Sequence, residues 1–199
     1  MKKIVKSTLI LVAITLTAAL CLAVVNAVTK DRIKIEEKNE RMDSFYTVMK
    51  NANVFDQIPN SDVDKYNAEN SVNVIEAYKG YDKENKLTGI VVSVLSHNGY
   101  GGDIVLSVGV DPDGVITGMK VTSMSETSGL GANCQNEEWA AQFAGKTIPL
   151  TYSKNGQQND NNTVDALTSA TITTKAVLEA VNAGTGFAIH ELKEGGGLK

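Results

Sequence analysis

Five side-chain hydroxyls fall within seven residues in Thr168-Ser169-Ala170-Thr171-Ile172-Thr173-Thr174, a run that begins three positions after Asp165. Directly behind it, Val177, Leu178 and Val181 recur at the spacing of one helical face, and Gly184 and Gly186 supply the expected stop. The run is therefore a helix entrance. Such an entrance presents unpaired backbone N–H groups and the positive end of the helix dipole, so it can hold a phosphate by geometry and charge together. The competing reading is capping, because Ser, Thr and Asp are the usual N-cap residues.

A second segment with chemical potential is Ser125-Glu126-Thr127-Ser128-Gly129-Leu130-Gly131-Ala132-Asn133. Two glycines around one leucine let backbone approach a planar ligand, with Leu130 against a ring and Glu126 or Thr127 bonding its polar edge. An ordinary connection into the helix expected over Glu137 to Gly145, with Trp139 and Phe143 on one side, would look similar. It is not a dinucleotide fingerprint, since a third glycine and a βαβ context are missing.

The elements that must position these segments are short strands. Leu87 to Leu95, Ile104 to Val110 and Val115 to Val121 are rich in Val and Ile and bounded by Gly, Asp or Asn. Asp111-Pro112-Asp113-Gly114 suits a hairpin turn between the last two. Upstream, Asn51 to Asn73 is polar, contains Pro59 and reads as a loop or short irregular region. Asp31 to Lys50 is charged and helix-prone, with Met42, Phe45, Val48 and Met49 at helical spacing, as expected of a stalk entering a packed amphipathic helix.

From Ser7 to Thr29 there is no charged residue. A helix rising about 1.5 Å per residue over that stretch covers a ~30 Å hydrocarbon layer. The stretch is longer than the apolar core of a cleaved signal, roughly 7 to 15 residues, although Val25-Asn26-Ala27 could be cut. Leu20 ahead of Cys21 is too bulky for a lipoprotein signal. Lys2, Lys3 and Lys6 favour a cytoplasmic N-terminus and an outer C-terminal domain. Apart from these three, sixteen basic residues face twenty-three acidic ones, which leaves no electrostatic footprint for nucleic acid or anionic lipid. Cys134 has no partner cysteine in the outer domain, and two histidines, His97 and His190, lack zinc-site spacing.

In order, the hydroxyl run resembles the flavinylation motif of exported FMN-binding domains, S/T-G-A-T-x-T-S with an upstream Asp. It departs from that pattern at Ser169, where Gly is common and freer at positive φ. Glu126-Thr127-Ser128-Gly129-Leu130-Gly131 resembles the same family's Glu-Thr-Pro-Gly-Leu-Gly loop, with Ser128 for Pro. Gly99-Tyr100-Gly101-Gly102-Asp103-Ile104, Val108 to Asp111 and Gly114 to Ile116 resemble its strand region. With the apolar N-terminus, the set is similar to the G subunits of Rnf electron-transport complexes, relatives of the C subunits of Na⁺-translocating NADH:quinone reductases.

The resemblance implies an α+β fold: one N-terminal transmembrane helix, then an exported FMN-binding domain with an antiparallel sheet and packed helices. The implied layout is a cytoplasmic N-terminus over 1–6, the span over 7–29, a helical stalk and connector over 30–75, the domain over 76–190 and a flexible tail over 191–199. It implies covalent FMN on the Thr171 phosphoester, with Asp165 aiding a flavin transferase and Thr173 and Thr174 bonding the phosphate or capping the helix. Thr168, Ser169 and Ala170 complete the motif. Glu126, Thr127, Gly129, Leu130 and Gly131 are its candidates for isoalloxazine and ribityl contacts. Partners are the membrane and iron–sulfur subunits of an Rnf-type complex in the cell (inner) membrane, and the chain relays electrons without a complete activity of its own. Other readings are an anchored extracytoplasmic flavin reductase and a non-catalytic assembly or binding module. A Ser/Thr hydrolase built around Lys175 lacks Ser-x-x-Lys, a nucleophile elbow and a histidine partner.

Overall fold

The computed structural model describes residues 2–70, 72–154, 156 and 161–195. The chain divides into two units, residues 1–40 and 41–199. Helix α1, Lys2–Val48, contributes to both. In the first unit its large apolar residues are exposed, among them Leu9, Ile14, Leu20 and Val28, each more than half exposed. No core covers them, and the helix is long and apolar enough to cross a membrane.

The second unit is α+β. Strands β1 (Val54–Gln57), β2 (Val74–Tyr81), β3 (Leu87–Ser96), β4 (Ile104–Val110) and β5 (Ile116–Met124) form one antiparallel sheet in chain order. Helix α2 (Asn60–Asn70) connects β1 to β2. After β5 come a 3-10 turn at Gly131–Gln135, the short α3 (Glu137–Ala140) and a 3-10 turn at Ala141–Phe143. A small parallel pair, β6 (Thr151–Ser153) and β7 (Thr163–Asp165), leads into α4 (Thr171–Glu194).

The central strands are covered on both faces, which explains why β3 reads as a continuous apolar run. Ile90, Val92 and Val94 join the core under α4, while Val91 joins Phe45, Val48, Met49 and Tyr78 on the other side. The amphipathic end of α1 expected from Phe45, Val48 and Met49 is thus packed, each being at most 2% exposed. Gly109 and Gly118 face each other across β4 and β5, and a Cβ on Gly109 would stand 2.7 Å from the Val48 carbonyl oxygen. That carbonyl accepts the Thr117 hydroxyl at 2.6 Å. Arg41 pairs with Glu76 at 2.9 Å, and Ser44 donates to Ser107 at 2.7 Å. Residues from Arg41 onward therefore belong to the folded unit, which starts earlier than the expected 76.

Three other expectations are corrected. The polar stretch 51–73 is not a loop: it contains β1 and α2, which escape a periodicity reading because β1 is largely exposed and α2 buries only Val63. The hairpin at 111–114 forms, with Gly114 at φ 81° and Asp111 N–H donating to the Val115 carbonyl at 2.9 Å, but β5 runs on to Met124. Gly184 and Gly186 do not stop α4. A Cβ on Gly184 would stand 2.7 Å from Val94 Cγ2 and 2.8 Å from Val108 Cγ1, so this glycine lets the helix lie close on β3 and β4. The helix continues with Phe187, Ala188 and Leu192 buried, and the interval 191–194, expected to be tail, is its last turn. Packing of that face outweighs the roughly 1 kcal/mol that each helical glycine costs. Residues 196–199 lie outside the described residues.

Candidate functional site

The start of α4, the loop after β5 and the Gly-rich loop before β4 meet around a pocket of about 580 Å³. Its lining includes Tyr100, Glu126, Thr127, Leu130, Gly131 and Ser169 through Thr173. The two separated sequence segments therefore form one site, within the size range of small-molecule and cofactor pockets. Tyr100, Leu130 and Ile172 are 71%, 42% and 52% exposed there, an apolar rim for a planar group.

Capping does not account for the hydroxyl run. The N-cap residue of α4 is Ala170, with φ −132° and ψ 51°, and no side chain makes a cap hydrogen bond. The first intrahelical bond is Thr174 N–H to the Ala170 carbonyl at 3.0 Å, so the first-turn donors remain available to a ligand. Thr171 is half-buried at the pocket wall, while Thr168 and Ser169 are exposed. Thr168 lines a different groove with Trp139 and Gln142.

The remaining hydroxyls are engaged inside the protein. Thr173, 1% exposed, donates to Glu126 Oε2 at 2.9 Å. Thr174, fully buried, donates to the Ala170 carbonyl at 3.0 Å and accepts from Leu167 N–H at 3.0 Å. These bonds fasten the 167–170 loop to the helix it feeds. Ser169 takes φ 59°. The backbone therefore adopts the left-handed conformation for which glycine is suited, and an L-residue bears it at a cost of about 1–2 kcal/mol.

Asp165 ends β7 and is held by its backbone: Trp139 Nε1 donates to its carbonyl at 2.7 Å, and its N–H donates to Gln142 Oε1 at 2.8 Å. The helical stretch expected at 137–145 is a short α3 and a 3-10 turn, and it serves as this clamp. Among the described residues, the buried Asp165 Oδ1 has no hydrogen-bond partner. A buried, unpartnered carboxylate oxygen is costly unless a donor or cation arrives from outside.

In the loop after β5, Gly129 takes φ 76°, and the Thr127 carbonyl accepts from both Leu130 N–H and Ala132 N–H at 3.1 Å. This turn presents Leu130 outward and returns the chain to Gly131. Below it, Cys134 is buried, and burial followed by the Glu126 charge pushes its thiol up to about 11. It is therefore protonated at neutral pH and a poor nucleophile. Sequence reading missed Tyr100 as a pocket residue, although the Gly-Tyr-Gly-Gly run was visible.

An FMN-binding domain model matches residues 99–185, an interval that takes in the Gly-rich loop, the loop after β5 and the start of α4. The fold and site thus define a protein built on an FMN-binding domain behind an apolar N-terminal helix. An RnfG N-terminal region model matches residues 1–48. The chain is 34% identical over 189 residues to the G subunit of the Na⁺-translocating ferredoxin:NAD⁺ oxidoreductase complex of Acetobacterium woodii, covering 91% of this chain and 89% of that one. It is 31% identical over 188 residues to the G subunit of an ion-translocating oxidoreductase complex of Methanosarcina acetivorans, covering 94% and 95%. The crystal structure of Shewanella oneidensis NqrC superposes with a TM-score of 0.51 at 26% identity, covering 60% of this chain and 61% of that one. The chain belongs to the family of Rnf-type ion-translocating oxidoreductase G subunits.

Proposed function

We propose that the chain is a membrane-anchored flavoprotein subunit that carries FMN as a phosphoester of Thr171 and relays electrons within an Rnf-type ferredoxin:NAD⁺ oxidoreductase coupled to ion translocation. The observation that carries the reading is the uncapped start of α4, where Thr171 opens onto a pocket of about 580 Å³. The chemistry of the residues fits FMN: backbone donors and helix charge for a phosphate, an apolar rim for the ring, and a hydroxyl between them. Bound FMN would accept and pass on electrons, while the protein supplies tether, orientation and tuning.

Attachment would join Thr171 Oγ to phosphorus with loss of the hydroxyl proton, and because FMN itself would have to expel water, the donor would have to be an activated flavin phosphoanhydride from which a nucleoside monophosphate departs. A flavin transferase supplies this step, and the unpartnered Asp165 Oδ1 is suited to a donor or metal ion that the transferase brings. The N-terminus lies in the cytoplasm, α1 crosses the membrane, and the folded unit faces outside. There a covalent bond prevents loss of the cofactor to a large volume. Membrane and iron–sulfur subunits exchange electrons with it at high effective concentration.

Mass spectrometry of peptides covering Asp165 to Lys175, from full-length chain coexpressed with a flavin transferase, tests the tether. The expected result is an FMN-sized addition on Thr171 that is absent in Thr171→Ala. An unmodified Thr171 in protein from its native host would instead favour an anchored binding module.

A further inference from the structure

Glu126 lines the pocket yet is only 9% exposed, and both its oxygens are bound. Its Oε1 accepts from Gly101 N–H at 3.1 Å, in the loop before β4, and its Oε2 accepts from the Thr173 hydroxyl at 2.9 Å, in the first turn of α4. Two glycines leave room for its carboxylate, and a third lets the backbone pass close to the residue before it. A Cβ on Gly99 would stand 2.7 Å from Oε1; one on Gly131 would collide with Oε2 and stand 2.6 Å from Thr173 Oγ1; one on Gly101 would strike the Ser125 carbonyl oxygen. Gly131 is therefore small to admit a carboxylate, and the Glu-Thr-Ser-Gly-Leu-Gly segment serves this one side chain as much as a ligand. Among the described residues no Lys, Arg or His forms an ion pair with Glu126. The positive element beside it is the first turn of α4.

We propose that Glu126 is a positioning residue that ties the Gly101 loop to the start of α4 and sets a fixed negative charge in the pocket wall, where it lowers the reduction potential of the bound flavin. The proposal rests on the reading of this pocket as the FMN site. It assigns both oxygens to the protein, so Glu126 shapes the pocket and its field and leaves hydrogen bonding of the ring edge to other groups. Reduction brings negative charge onto the flavin, and a fixed carboxylate in a partly enclosed pocket opposes that gain more strongly than it would in water.

The test uses the full-length chain in detergent, loaded both by coexpression with a flavin transferase and by titration with free FMN. Affinity for free FMN, midpoint potential and thermal midpoint are compared for Glu126→Gln, Thr173→Val, Thr173→Ser and the exposed control Lys83→Ala. Gln keeps the shape and can bridge Gly101 and Thr173 without charge, so Glu126→Gln retains FMN and raises its potential. Val removes one bond and leaves the charge, so Thr173→Val weakens free FMN by about fivefold to tenfold with the potential unchanged, and Thr173→Ser restores the affinity. An unchanged potential in Glu126→Gln, or an affinity loss in Thr173→Val no larger than in Lys83→Ala, overturns the proposal. Covalent FMN on Thr171 with that unchanged potential sinks the proposal for Glu126 and keeps the tether. A raised potential for non-covalent FMN, without any adduct, does the reverse.

Discussion

At its first turn α4 leaves backbone donors uncapped, puts Ser169 in a left-handed conformation just ahead of them, and opens onto a pocket. At its far end the same helix runs through two glycines and buries Phe187, Ala188 and Leu192 against the sheet and α2. Phe187 meets Tyr66 of α2 edge-on at 5.0 Å. One end thus carries local cost beside a pocket, and the other supplies the packing that offsets it. Strain at functional sites persists where the surrounding structure over-determines it, and here the over-determination lies within a single element.

Substitutions at the two ends should therefore separate function from stability. The largest expected effect is Thr171→Ala, which removes all covalent FMN by mass and in-gel fluorescence while moving stability by less than about 0.5 kcal/mol. Next comes Phe187→Ala, expected to cost about 3–5 kcal/mol in denaturant melts, with FMN content per folded molecule preserved. Loss of FMN from the folded fraction of Phe187→Ala would show that the ends are coupled.

Smaller effects sharpen the contrast. Ser169→Gly relieves the left-handed strain of about 1–2 kcal/mol but gains unfolded-chain entropy of about 0.5–1 kcal/mol, leaving a net stabilisation of about 0.5–1 kcal/mol. A thermal midpoint higher by roughly 1–4 °C would register it. At the other end Glu191 is raised, first by burial and then by Asp62 and Glu194 against the opposing pull of Lys79 and His190. A raised carboxyl binds its proton more tightly when folded, so stability is full below the ordinary 4.5 and falls as pH rises through the folded value. Glu191→Gln should therefore raise the melting point at neutral pH, with the gain vanishing below about pH 4. A gain independent of pH would refute the assignment.

The sequence by itself determined the apolar N-terminal stretch, three of the four long strands of the sheet (β2 was not among them), the 111–114 hairpin and the two motif segments, because each rests on a local pattern: hydrophobic run, turn chemistry or residue order. Tertiary structure alone decided what those patterns were for. Gly184 looked like a helix stop because its missing side chain is read locally as weakness, yet β3 and β4 need that space. The 51–73 stretch looked like loop because β1 and α2 bury so little of themselves. The hydroxyl run looked able to cap its own helix, but Thr173 and Thr174 found partners in Glu126 and Leu167 and left the first turn free. Glu126 stood out in the sequence only through its loop neighbours, while its hydrogen-bond partners stand 25 and 47 positions away. Residue type fixes which bonds a side chain can make; only the folded chain brings distant partners within hydrogen-bond reach, and that proximity settles which of them it does make.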